Sequence, residues 1–167
     1  LDADVRVERV RRAPPGFHCR YSVKKKEYRY FIWNGEVVPP FVHRYRSRVA
    51  RSLDIDRMNA AAAMLEGKRD FAAFSANPNR EIDGTVRTLM QLTARRKGPE
   101  VTIVAVGDGF LYKMVRSLAG HLIRVGTGET DPEATPAILE SRTRTARVPT
   151  APPEGLFLWR VTYPMEV

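Results

Sequence analysis

The chain has 167 residues and carries 28 Lys and Arg against 19 Asp and Glu, so its formal net charge of +9 favours a polyanionic partner, most simply a nucleic acid. Its length and its 43% hydrophobic content predict one domain over residues 1–167. A single cysteine excludes an internal disulfide, three scattered histidines argue against a metal site, and no apolar run or signal segment points to a membrane or to secretion. These features predict a cytosolic protein that binds nucleic acid.

The first half of the chain is predicted to contain two strands and a helix. Alternating valines in residues 5–10 indicate a strand that is already under way near the first residue, which is typical of a fragment or a processed chain. The sequence KEYRYFIWNG, residues 26–35, predicts a strand with both faces partly covered. Residues 36–52 are rich in Arg, Val and Pro without periodicity, and they predict a long basic loop. Asp54 is expected to cap a helix that ends near Leu65.

The second half predicts a hairpin, two helices and a final strand. An irregular polar stretch at residues 77–84 precedes a hairpin over residues 86–109. Helices are expected over residues 110–126 and 131–139, and the last strand over residues 155–163. Because the hairpin and the short connections favour neighbouring antiparallel strands, the predicted fold class is α+β, with a mostly antiparallel sheet and helices packed on one face.

The predicted helix over residues 110–126 carries an arginine, Arg116, beside an apolar edge. At about 100° per residue, its circumference divides into an apolar stripe, a second apolar edge and a narrow polar strip. The stripe is Leu111, Val115, Leu118, Leu122 and Val125, the second edge is Tyr112, Ala119 and Ile123, and the polar strip is Lys113, Ser117 and Arg124. An arginine so placed needs an anionic partner, which is a structural carboxylate, a catalytic carboxylate or a phosphate.

Six stretches of the chain converge on one family. They are GFHCRYS, KEYRYFI, GKRDFAAF, VRTL, GDGFLYKMVRSLAG and PTAPPEGLFLWRVTYP. In this order they closely resemble the C-terminal portion of the TruA-type tRNA pseudouridine synthases, and the resemblance covers essentially the whole chain. It implies an α+β fold, a homodimer, tRNA as the partner, and isomerisation of uridine to pseudouridine in the anticodon stem-loop without cofactor or metal.

One motif of that family is missing from this sequence. Family members attack with an aspartate in a Gly-Arg-Thr-Asp-Ala-Gly-Val-His motif of their N-terminal portion, and residues 1–167 contain no such motif. The resemblance therefore implies that the nucleophile lies outside this chain, and that the isolated chain is inactive.

The resemblance also assigns site residues. Arg116 matches the family's basic residue that pairs with the catalytic aspartate, and a neighbouring guanidinium would hold the pKa of that carboxyl low, as a nucleophile needs. Tyr28 matches the tyrosine that lies flat against the target base, with Tyr30 as its packed neighbour. A structural salt bridge or a phosphate contact is the alternative for Arg116, and an ordinary place in the core is the alternative for both tyrosines. The residues that match the family's pocket wall are Phe110, Leu111 and Met114, and an ordinary place in the helix core is the alternative for Met114. The residues that match the lining of its cleft are His18 and Arg20, and a surface contact with a phosphate is the alternative for Arg20.

Two runs of basic residues are candidates for contacts with an RNA backbone. They are Lys24, Lys25 and Lys26, followed by Arg44, Arg46, Arg48 and Arg51. A solvated surface has the same composition, so the net positive charge shifts the interpretation only modestly toward RNA.

Two other functions are compatible with the sequence. The first is a non-catalytic RNA-binding or dimerisation module. The second is a hydrolase that uses Asp70 or Asp108, although neither has a paired carboxylate or a histidine at a persuasive spacing. Asp70 comes just before FAAF, where a cap of a short helical turn explains it better.

Overall fold

The fold is that of a computed structural model, which describes residues 4–76 and 84–164. The strands are β1 (Lys25–Asn34), β2 (Ser47–Val49), β3 (Gly67–Asp70), β4 (Val86–Lys97), β5 (Glu100–Gly107) and β6 (Leu156–Thr162), and the helices are α1 (Ile55–Leu65), α2 (Met114–Gly126) and α3 (Thr135–Glu140). The strands form one six-stranded sheet in the order β2-β1-β5-β4-β3, with β6 also paired to β1. The β1–β2 pair is parallel and the other pairs are antiparallel. The predicted α+β class with a mostly antiparallel sheet is confirmed.

The core lies between one face of the sheet and the helices. Strand residues alternate between the two faces, so every second residue of β1, β4 and β5 enters this core. These residues are Tyr30 and Ile32 of β1, Leu92 and Ala94 of β4, and Ile103 and Ala105 of β5, and they pack with Met58 and Ala62 of α1 and Leu118 and Leu122 of α2. Like β4 and β5, the strand β1 therefore presents side chains both to the helices and to the opposite face.

The opposite face of the sheet, which we call the open face, carries arginine and aromatic side chains. The guanidinium carbon of Arg29 lies 4.1 Å from the ring centroid of Trp159, and that of Arg46 lies 4.5 Å from the ring of Phe31. The rings of Phe31 and Phe157 meet edge to face at 5.5 Å. These contacts partly cover the side chains on the open face of β1, as the sequence predicts for both faces of this strand.

Two predictions for the first half of the chain are wrong. Residues 5–10 do not form a strand, and Val7 and Val10 are 60% and 85% exposed. Alternation of side chains is not sufficient for a strand, because the backbone also needs a neighbouring ladder, which these residues do not have. The predicted loop over residues 36–52 contains the short strand β2, whose position is fixed by Asn34, since its side-chain amide donates to the carbonyl of Val49 at 2.9 Å.

The helix boundaries agree with the sequence at α1 and differ elsewhere. The carboxylate of Asp54 accepts a hydrogen bond from the backbone N–H of Arg57 at 3.0 Å, which confirms the predicted cap. The helix predicted over residues 110–126 begins only at Met114, because Lys113 adopts a left-handed conformation with φ of 57°. The helix predicted over residues 131–139 divides into a 3-10 turn, Pro132–Ala134, and α3.

The late start of α2 changes the predicted faces of that helix. Tyr112 precedes the helix and is 53% exposed, so it does not belong to an apolar edge. Ser117, predicted on the polar strip, is fully buried. Its hydroxyl donates to the carbonyl of Lys113 at 3.1 Å and accepts from the guanidinium of Arg144 at 2.8 Å. These hydrogen bonds replace those that the hydroxyl loses to water when it is buried. The irregular stretch predicted at residues 77–84 lies, except for Gly84, outside the described residues.

Gly120 allows α2 to touch the chain that precedes β6. A Cβ atom at this position would collide with the carbonyl oxygen of Pro149 and lie 3.2 Å from the backbone nitrogen of Ala151. We expect Gly120→Ala to lower the free energy of unfolding by about 2 kcal/mol, because packed backbone atoms cannot move aside. This loss would appear although alanine is the better helix former by about 1 kcal/mol.

Urea denaturation measures this effect, and Gly109→Ala is the matched control. A Cβ at Gly109 would meet only the side chain of Arg87, at 3.5 Å, which is an ordinary contact. An unchanged or raised stability of Gly120→Ala would contradict the close approach of the two segments.

Candidate functional site

The expected base-stacking residue and pocket wall meet where β5 leads into α2. The half-buried ring of Tyr28, on β1, lies 5.2 Å from the ring of Phe110 at an interplanar angle of 84°. Burial raises the pKa of the Tyr28 phenol above its ordinary value, so the hydroxyl stays protonated at neutral pH. Leu111 and Met114 are 6% and 1% exposed, so they support this pair of rings from the core.

Sequence reasoning missed a leucine that lies beside Tyr28. The residue paired with Tyr28 on β6 is Leu158, which is 53% exposed, and the register of the two strands shifts at this point. Residues paired across an antiparallel ladder point to the same face of the sheet. Tyr28, Leu158 and Phe110 therefore form an apolar surface that remains accessible.

Arg116 is held in the first turn of α2 by the chain that precedes β6. Its Nε donates to the carbonyl oxygen of Ala151 at 2.6 Å, and its own carbonyl accepts from the backbone N–H of Ala151 at 3.0 Å. Within residues 4–76 and 84–164, no carboxylate lies within ion-pair distance of its guanidinium. The terminal nitrogens Nη1 and Nη2 are therefore available to an anion from elsewhere.

Arg116 and Tyr30 of β1 bind the carbonyls of two consecutive residues in the chain that precedes β6, Ala151 and Pro152. Tyr30 is fully buried, and its hydroxyl donates to the carbonyl of Pro152 at 2.8 Å. Burial raises the pKa of Tyr30 to about 12, against the lowering effect of a hydrogen bond with Ser47 and a smaller one of the Arg116 charge. Tyr28 lies two residues away on the same face of β1, about 7 Å along the strand. The described contacts of Arg116 do not include Tyr28 itself, so the structure joins the two only through Tyr30 and the chain that precedes β6.

Residues 61–164 match the family model described as tRNA pseudouridine synthase. This chain belongs to the tRNA pseudouridine synthase family. It is 40% identical over 163 residues to tRNA pseudouridine synthase A of Oceanobacillus iheyensis, a match that covers 98% of this chain and 64% of that relative. It is 41% identical over 165 residues to tRNA pseudouridine synthase A of Moorella thermoacetica, covering 98% of this chain and 66% of the relative. The chain therefore spans slightly less than two-thirds of the length of these relatives.

In this member of the tRNA pseudouridine synthase family, the two expected cleft residues lie on an exposed turn. The ring nitrogen Nδ1 of His18 accepts from the backbone N–H of Arg20 at 3.1 Å, and its ring lies 4.4 Å from that of Tyr21. The turn is attached to the end of β6, because the hydroxyl of Tyr163 donates to the carbonyl of Cys19 at 2.9 Å. Within the described residues, the contacts of His18 are made inside this turn, so the structure does not join it to Arg116.

The two basic runs lie at opposite ends of β1. Lys24, Lys25 and Lys26 are at its start, and Arg44 and Arg46 lie beside its end, where β2 pairs with it. The ten residues of β1 separate these ends by about 30 Å. Arg44 is exposed, whereas Arg46 forms an ion pair with Glu100 at 3.0 Å on the open face. They are therefore two separate basic surfaces.

The two aspartates considered for hydrolysis have structural partners. The carboxylate of Asp70 accepts from the backbone N–H of Ala72, the first residue of the 3-10 turn Ala72–Phe74, at 3.0 Å, although the N-cap position itself is Phe71. A hydrogen bond from Thr85 is the main cause that lowers the pKa of Asp70. The carboxylate of Asp108 accepts from the backbone N–H of Thr88 at 2.9 Å and joins the end of β5 to β4. Both carboxylates are bound to backbone amides, so neither has a partner that suits an acid or base catalyst.

The described part of the chain contains neither a metal-binding cluster nor a helix that could span a membrane. No group of three or more His, Cys, Asp and Glu side chains is placed to hold a metal ion within residues 4–76 and 84–164. In the same residues, every helix is too short or too polar to cross a bilayer.

Proposed function

We propose that this chain is the part of a tRNA pseudouridine synthase that supplies the basic partner of the nucleophile and the aromatic wall of the uridine pocket. The observation that carries the proposal is the state of Arg116. One nitrogen of its guanidinium is bound to the Ala151 carbonyl, while no carboxylate of the described residues lies within ion-pair distance of it. A half-buried guanidinium in this state is suited to receive a carboxylate from another part of the protein.

The proposed chemistry needs an aspartate that this sequence does not supply in the family's motif. When that carboxylate meets Arg116, the positive charge keeps its pKa low and orients it toward the target uridine. Tyr28 then lies against the base while its glycosidic bond is broken and remade, and stacking on an aromatic ring is worth about 1 to 3 kcal/mol per base. Phe110 closes the pocket beside Tyr28, with Leu111 and Met114 behind it.

The isolated chain is expected to form no pseudouridine in tRNA and to bind RNA weakly and in a salt-sensitive manner. The full-length protein is expected to form pseudouridine in the anticodon stem-loop. If the chain neutralises Z phosphates, the logarithm of its affinity should fall against the logarithm of salt concentration with a slope of about −0.7Z to −0.9Z. Nucleoside analysis of digested tRNA measures the activity, and filter binding across a salt series measures the slope.

Two exposed lysines, one on β1 and one on the edge strand β3, give a matched pair of variants for the binding experiment. Lys25 lies at the start of β1 and Lys68 on the edge strand β3. Lys25→Ala should reduce the magnitude of the slope by about 1, and Lys68→Ala should leave it unchanged. Pseudouridine formation by the isolated chain would contradict the expectation that it is inactive, and binding that is independent of salt would contradict the expectation that it binds RNA through phosphate contacts.

The alternative function is a non-catalytic RNA-binding or dimerisation module. The net charge of +9 favours RNA binding in either case, so RNA binding does not distinguish the two. Pseudouridine formation by the full-length protein does distinguish them. We extend the proposal to a cytoplasmic homodimer, as the family resemblance implies, and sedimentation of the full-length protein tests the dimer.

A further inference from the structure

The segment of residues 148–155, which we call the proline segment, holds Arg116 through its backbone. Ala151 uses both of its backbone groups, since its N–H donates to the carbonyl of Arg116 at 3.0 Å and its carbonyl accepts from the Nε of Arg116 at 2.6 Å. Because the Nε–H is directed at this carbonyl, the orientation of the guanidinium depends on the position of Ala151. The Nη1 and Nη2 end of the planar group is the part left to bind a carboxylate.

Arg144 connects α2 to the proline segment by hydrogen bonds. Its guanidinium donates to the hydroxyl of Ser117 at 2.8 Å, to the hydroxyl of Thr150 at 2.6 Å and to a backbone carbonyl of the proline segment at 3.1 Å. Ser117 follows Arg116 in α2, and Thr150 precedes Ala151 in the proline segment. One planar side chain therefore joins the immediate neighbours of the two residues that form the Arg116–Ala151 pair.

The surroundings of Arg144 are those of a fixed group rather than of a surface cation. Ser117 and Val148 are 0% and 1% exposed, and Val148 supplies the carbonyl that Arg144 binds. Burial lowers the pKa of the Arg144 guanidinium from its ordinary value, which agrees with a group partly removed from water. The other side of the proline segment is held by Tyr30, whose hydroxyl donates to Pro152. Without Arg144, that side and the Arg116 pair itself would remain, so we expect local displacement of Ala151 and not loss of the fold.

We propose that Arg144 is a positioning residue for the reaction, which acts by fixing Ala151 and thereby the direction of the Arg116 guanidinium. This inference rests on the proposed function of Arg116. Arg144 donates all its described hydrogen bonds to the protein, and we assign it no contact with RNA. Lysine would keep the charge but could not reproduce the planar arrangement of donors that reaches these three acceptors.

The first test is steady-state kinetics of the full-length protein with Arg144→Lys. We expect kcat to fall by about 10- to 100-fold, because a displacement of about 1 Å in a catalytic arrangement has effects of this size. KM and the affinity for tRNA should stay the same, since the charge and the RNA surface are retained. Arg147→Lys is the matched control, because Arg147 is exposed and lies close by in the chain, and it should leave kcat unchanged.

A double-mutant cycle separates positioning from a general structural effect. In the Arg116→Ala background, Arg144→Lys should cause no further loss of kcat, because the group that it positions is already absent. The same fold loss in both backgrounds would overturn the proposal, and so would an unchanged kcat in the single variant.

Amide hydrogen exchange distinguishes failure of this inference from failure of the proposed function. In Arg144→Lys, the N–H of Ala151 should exchange faster, while the amides of β5 keep their wild-type rates. Unchanged exchange at Ala151 would overturn the proposal whatever the activity. If the wild-type full-length protein forms no pseudouridine, the proposed function has failed, and exchange at Ala151 alone then decides whether Arg144 fixes that residue.

Discussion

Arg116→Ala in the full-length protein is expected to lower kcat for pseudouridine formation by about 100- to 1000-fold, the loss seen when one preorganised donor is removed from a catalytic site. The affinity for tRNA should change little, because the exposed basic surfaces at both ends of β1 remain. The physical reason is that the nucleophilic aspartate would lose the charge that keeps it ionised and the donors that orient it. Single-turnover kinetics with a filter-binding assay separates the two effects.

The lysine variant at the same position tests the geometry of the contact. Arg116→Lys should recover only part of the rate, because an ammonium group is a point charge and cannot present two parallel donors while a third binds Ala151. Lys68→Ala, on the edge strand β3, removes one positive charge far from the site and should leave kcat unchanged.

Two other outcomes would identify the alternatives for Arg116. A weaker affinity for tRNA with an unchanged rate constant for chemistry would indicate a phosphate contact. A lower free energy of unfolding, with the rate of the remaining folded protein unchanged, would indicate a structural role. Thermal unfolding of each variant therefore accompanies the kinetics.

The sequence predicted the elements whose pattern is decided locally. Alternation in β1 and in the β4–β5 hairpin, and the Asp54 cap of α1, depend on residues close together in the chain, and all three formed as expected. Local pattern failed where a distant partner decides the outcome. Residues 5–10 alternate without a neighbouring strand, and β2 exists because β1 offers three residues to pair with.

In the candidate site, too, the sequence predicted the residues but not their distant partners. Motifs that resemble a known family pointed to Arg116 on α2 and Tyr28 on β1, and their joint role stays a prediction. The nitrogen with which Arg116 is anchored could not be predicted, because its partner Ala151 lies 35 residues away and belongs to a segment without regular structure. The polar strip predicted at Ser117 is buried for the same reason, since its hydroxyl is bound by Arg144, 27 residues away.

A buried histidine in α2 makes the stability of this protein depend on pH. His121 of α2 is fully buried, its Nε2 lies 3.0 Å from the hydroxyl of Thr135, and its ring meets that of Phe74 edge to face at 5.7 Å. Its Nδ1 has no hydrogen-bond partner among the described residues. Burial, with a smaller effect from the charge of Arg124, lowers the pKa of His121 from 6.5 to about 4. The folded protein therefore keeps this ring neutral in a range of pH where the unfolded chain protonates it.

We expect the free energy of unfolding to fall by about 3 kcal/mol through this group as the pH drops from 6.5 to about 4. Above pH 6.5 neither the folded nor the unfolded state binds the proton, so His121 does not change the free energy of unfolding. Between pH 6.5 and about 4 only the unfolded state binds it, so stability decreases as the pH is lowered. Below about 4 both states bind it, and stability decreases no further through this group. Urea denaturation of the wild type and of His121→Gln across this range isolates the effect, because the carboxylates titrate alike in both. Phe74→Leu is the control, since it removes the ring contact but keeps the imidazole, and it should lower stability while retaining the wild-type dependence on pH. An identical pH dependence in the wild type and in His121→Gln would show that His121 is not held neutral by the fold.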